Sequence, residues 1–157
     1  MLKSKLVPYL LWLIFILICI CGGELAYGQD EVVRTPQVEA QILKLHDHTN
    51  TGSDKTEWSF VIQRDGTPTA LYSSHDYSKN VLTVKIDNDL AIVHSHPTAT
   101  SPQPSQGDID TAKKCRMPNY EVSLYAIWVA EPSGKVRKAA EIEFGKHGRV
   151  LIHWRPL

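Results

Sequence analysis

The chain has 157 residues with 43% hydrophobic and 22% charged content, which is the range of one globular domain and excludes collagen-like, disordered and knottin-like classes. A domain of this size buries roughly 70% of its unfolded surface, so a core forms without a disulfide framework. Seventeen Lys plus Arg against 17 Asp plus Glu leave no surplus of positive charge for phosphate, which argues against a nucleic-acid partner.

Lys3 and Lys5 precede twelve apolar residues, Leu10 to Cys21, and a small, polar stretch follows, ending at Ala26-Tyr27-Gly28. A positive start, an apolar stretch and a small-x-small site are the three parts of a secretory signal, so residues 1–28 read as an export address and Gln29 as the mature start. An uncleaved membrane anchor is the other reading; Leu6 to Gly23 holds Pro8 and is marginal against the roughly 20 residues that span a bilayer. Without the address, 15 basic face 16 acidic side chains and Cys115 is the remaining thiol, which reads as a small buried hydrophobe.

Residues 29–36 read as a polar spacer, and 37–157 as the domain. Thr35-Pro36 opens a helix with a capping residue and Pro at the first helical position, Val38, Ile42 and Leu45 follow at helical spacing, and the turn formers after His48 end it. Trp58 to Gln63 alternates, and Arg64-Asp65-Gly66 turns it into a second strand, Thr67 to Ser73. Val81 to Ile86 and Leu90 to His94 read as strands. Pro97 to Gly107 is a loop, and Asp108 to Cys115 a helix. Tyr120 to Ala130 is the most strand-like run. After the turn Glu131-Pro132-Ser133-Gly134 come strands at Lys135 to Phe144 and Val150 to Trp154. Short turns between strands predict an α+β domain with a mainly antiparallel sheet flanked by helices.

The chemistry concentrates in His94-Ser95-His96-Pro97 and Ser105-Gln106-Gly107-Asp108. Side chains two apart on a strand share a face, so His94 and His96 converge, and the intervening loop is long enough to bring Asp108 beside them. Two His and one carboxylate leave a coordination position open, which is the arrangement of catalytic zinc. Either half alone is weak. His46-Asp47-His48 is a second His-x-His that reads as solvated at a helix end, and Ser with an acid three residues on is an ordinary helix start.

Together these residues resemble the JAB/MPN (JAMM) metalloprotease superfamily, whose signature is His-x-His-Pro, a loop and Ser-x-x-Asp. Pro104 to Ile109, Met117 to Tyr120 and Ser123 to Val129 are similar to its prokaryotic branches, RadC-like and phage-tail-associated. The resemblance implies a cytidine-deaminase-like fold, Zn²⁺ held by His94, His96 and Asp108, and Ser105 stabilising the oxyanion. It also implies a Glu as general base before an early strand: Glu57 fits, with Glu39 on the first helix as the alternative. The implied protein is an exported, zinc-dependent metallopeptidase or isopeptidase. Its partner is a peptide or protein substrate, cell-wall peptide being one option, with no nucleic acid and with membrane contact only through the N-terminal segment. The alternative is a catalytically inactive module of the same fold that binds zinc or a partner. Seven residues between Pro97 and Ser105, one more than the usual spacing, and Trp58-Ser59 after Glu57 motivate it.

Overall fold

In the computed structural model, which describes residues 31–51, 56–73, 87–96 and 101–156, Pro36 opens helix α1 (Pro36–Thr51). The export segment, His75, the strand expected over Val81 to Ile86, and Pro97 lie outside the described residues. Thr35 accepts the first helical hydrogen bond, Glu39 N–H to its carbonyl, but its own buried hydroxyl makes no cap bond, so Pro36 rather than a side chain sets the start. The helix runs past His48 because Thr49 is buried and its hydroxyl donates to the Leu45 carbonyl, turning a turn former into part of the helix.

Strand β1 (Ser59–Gln63) leads through Gly66, at φ 84°, into a return segment that touches β1 at two bridges, Ile62 with Pro68 and Ser59 with Tyr72. The expected second strand of this hairpin is interrupted at Thr69: its Oγ1 takes the Val61 N–H while its carbonyl accepts from Gln41 Nε2, and pairing resumes out of register at Ser59 with Tyr72. Then come β2 (Asp89–Ser95), α2 (Gln106–Cys115), β3 (Asn119–Val122), β4 (Ala126–Ala130), β5 (Val136–Phe144), a turn of 3₁₀ helix (Lys146–Gly148) and β6 (Val150–Trp154). The run Tyr120 to Ala130 is thus two strands, not one. Ser123 N–H and Oγ both donate to the Ala126 carbonyl at 2.9 Å and close a turn between them, which apolar residues on either side concealed.

The six strands form one sheet in chain order, antiparallel throughout except for β2 against β3, which α2 connects as a parallel crossover. The chain is therefore α+β with a mixed, mostly antiparallel sheet. Alternation along β2 and β3 divides the polar from the apolar residues. One face presents Ala91, Val93, Tyr120 and Val122 to Val38, Ile42 and Leu45 of α1 in a closed core. The opposite face carries His94, His96, Asn119 and Glu121, and meets the start of α2. Val33, inside the segment read as a spacer, is fully buried in the core.

Candidate metal centre

His94 and His96 come from the end of β2, and parallel pairing sets His94 beside Glu121 and Ile92 beside Asn119. The Asn119 amide fixes its own orientation: Nδ2 donates to the Asp108 carbonyl at 3.4 Å, so Oδ1 accepts from His94 Nδ1 at 3.1 Å. His96 Nδ1 donates to the Ser101 carbonyl at 2.9 Å. With both Nδ1 atoms protonated, a neutral ring presents a lone pair at Nε2. The two Nε2 atoms lie 3.3 Å apart.

Asp108 joins them from the first turn of α2. Ser105 is the helix N-cap; its Oγ and N–H donate to Asp108 Oδ2 at 2.6 and 2.8 Å, and Asp108 N–H donates back to Ser105 Oγ in a capping box. That leaves Oδ1 facing His94 Nε2 at 3.3 Å, with Oδ2 3.8 Å from His96 Nε2. Two donors each about 2.0–2.1 Å from a tetrahedral cation lie about 3.3 Å apart. Two imidazole lone pairs and a carboxylate at that spacing repel one another unless a positive charge lies between them, either a proton on His96 or a metal ion. His94, His96 and Asp108, with Glu121 beside the His96 Nδ1, form a cluster that can hold a metal ion.

The electrostatics follow from burial and partners. Burial drives His94 down to about 4, against the pull of Asp108. Burial also works against a charged His96, but Glu121, the Ser101 carbonyl and Glu57 outweigh it and lift that ring to about 9. Burial would raise Asp108 too; His94 and the two Ser105 donors hold it below the usual carboxylate range instead. Desolvation raises Glu57 and Glu121.

Of the residues singled out in the sequence, His94, His96, Asp108 and Ser105 are brought together. Glu57 is at the edge, 38% exposed, with Oε1 4.0 Å from His96 Nε2. Its position is set by Trp58, whose N–H donates to Ser95 Oγ at 2.9 Å and whose carbonyl accepts from Ser95 N–H at 2.8 Å, pinning the entry to β1 against β2. Glu39 is elsewhere, accepting from the Trp154 indole. The second His-x-His is solvated only in part: His48 is exposed as expected and stacks on Trp58 at 4.6 Å, whereas His46 is buried with Nε2 3.1 Å from the Leu124 carbonyl. Asn119 and Glu121 were missed. A lone Glu between Tyr120 and Val122 in an apolar strand was the available signal, and only the parallel register brings it to the histidines.

No protein-family model matches the chain, and no curated protein is similar to it.

Proposed function

We propose that the chain is an exported, zinc-dependent hydrolase of amide bonds, acting on a peptide or isopeptide bond with a JAB/MPN-type, cytidine-deaminase-like fold. The observation that carries this reading is the convergence of His94 Nε2, His96 Nε2 and the Asp108 carboxylate, with separations of 3.3, 3.3 and 3.8 Å, and Glu57 at the edge. Zinc there would lower the pKa of a bound water to about 7 and polarise the scissile carbonyl. Asn119 and the Ser101 carbonyl hold the two imidazoles, and Ser105 holds Asp108. Glu57, partly exposed and raised by desolvation, takes a proton from water and returns it to the leaving amine. Ser105 has one hydroxyl hydrogen, which goes to Asp108 Oδ2; a hydrogen bond to the developing oxyanion requires that hydroxyl to turn, while the Ser105 N–H keeps Asp108 in place. Export makes cell-wall peptides and envelope proteins the accessible substrates.

The commitment of Ser105 to Asp108 favours a second reading, a silent zinc- or partner-binding module. Turnover of a peptide library by the zinc-loaded chain separates the two. The enzyme reading expects cleavage that falls roughly 10²–10⁴-fold in Glu57→Gln with zinc retained. Zinc binding without any cleavage by the wild type supports the module.

A further inference from the structure

Glu121 is in the middle of β3, between core residues Tyr120 and Val122, with its side chain 0% exposed. Glu121 points to the opposite face from these neighbours, toward the histidines, and a carboxylate fully removed from water is costly to keep without a partner. Neither carboxylate oxygen has a hydrogen-bond partner of acceptable geometry. The close polar contact is His96 Nδ1, 2.8 Å from Oε1. Nδ1 carries one hydrogen, and that hydrogen is aligned with the Ser101 carbonyl, so Oε1 flanks the N–H without lying on its axis.

The contact is made to the ring nitrogen that does not face the centre. A carboxylate at that nitrogen fixes a ligating imidazole and makes it more basic, which is a general device of metal sites. The charge count points the same way. A divalent cation between two neutral imidazoles and Asp108 keeps one positive charge that the ligands do not compensate; Glu57 at the exposed edge and Glu121 are both near, and Glu121 is the buried one, offered from a rigid strand.

We propose that Glu121 is a positioning residue for the cation: its carboxylate, 2.8 Å from His96 Nδ1, acts electrostatically on the ring that the Ser101 carbonyl orients, and adds buried negative charge that offsets a divalent ion. This rests on the reading of the site as a metal centre. It assigns the buried charge of β3 to ion binding rather than to the fold. The carboxylate acts through His96, not as a ligand that would close the coordination shell against water.

The test is zinc affinity of the intact chain by chelator competition, for wild type and Glu121→Gln, with the His96 Nδ1–H resonance of the zinc-loaded proteins followed by ¹H–¹⁵N NMR. Affinity of Glu121→Gln is expected to fall roughly 10–100-fold. The Nδ1–H signal, downfield in the wild type, is expected to move upfield. A fall of less than tenfold, or an unmoved resonance, overturns the role of Glu121. Should Glu121→Gln not fold, Glu121→Leu is read by the same two measurements. A wild type that binds no zinc overturns the metal centre itself, a result distinct from failure of the variant.

Discussion

His94 Nε2 and His96 Nε2 lie 3.3 Å apart, and the acceptor at each Nδ1 turns both Nε2 atoms toward one point, with a proton on His96 between them when no metal is bound. A cation relieves this arrangement in the folded chain and has no comparable site in the unfolded one. Zinc is therefore expected to raise the melting temperature, by an amount that corresponds to about 4 kcal/mol at a thousandfold excess over Kd. Calorimetry with and without zinc checks this. No zinc-dependent shift would count against the centre.

Asn119 connects His94 to Asp108, one ligand's ring to the other's backbone. Asn119→Ala removes the acceptor that fixes the His94 tautomer, and zinc affinity should drop roughly 10–100-fold with little change in secondary structure. Chelator competition and circular dichroism on the same sample read both halves. Unchanged affinity would mean that His94 is oriented by packing alone.

Ser105 serves the helix and the centre at once. Ser105→Ala deletes the cap, which costs about 0.5–2 kcal/mol, and frees Asp108 Oδ2 of its shorter donor. Urea unfolding should register the first effect and weaker zinc binding the second. A stability loss with unaltered zinc affinity would confine Ser105 to its structural part.

The metal-free pair also sets a pH dependence. His96 binds its proton more tightly folded, at about 9, than at the ordinary value of 6.5. The stability it contributes is full below pH 6.5 and is lost as pH rises through about 9. His94 has the opposite sign: held near 4, it penalises the fold progressively as pH falls from 6.5 toward 4. Raised Glu57 and Glu121 act in that acid window too, so the alkaline limb is the cleaner test. The urea midpoint of chelator-treated protein should decline from pH 6.5 to 9, and His96→Asn should flatten that decline. Equal slopes in the two proteins would contradict the assignment.

Local patterns carried much of this. Pro36 and the Val38, Ile42, Leu45 spacing gave α1, and Ser105 with Asp108 gave the start of α2 together with its capping box. His94 and His96 were legible because strand alternation is a local property. The rest depended on contacts between distant segments. Ser123 closes a turn inside an apolar run, Thr69 interrupts a hairpin ladder by taking the Val61 N–H on its hydroxyl and giving its carbonyl to Gln41, and Thr49 extends a helix by bonding to Leu45. Glu121 and Asn119 were hidden for the same reason. Each is unremarkable in its own strand and acquires a partner only through the parallel pairing of β3 with β2.

The most direct test is metal content. The intact chain, equilibrated with zinc, dialysed and analysed by native mass spectrometry, should retain one zinc ion per chain, and the His94→Ala, His96→Ala double variant should retain none. Zinc-free wild type, or a double variant that still holds the ion, would contradict the assignment of these two histidines as the centre of the site.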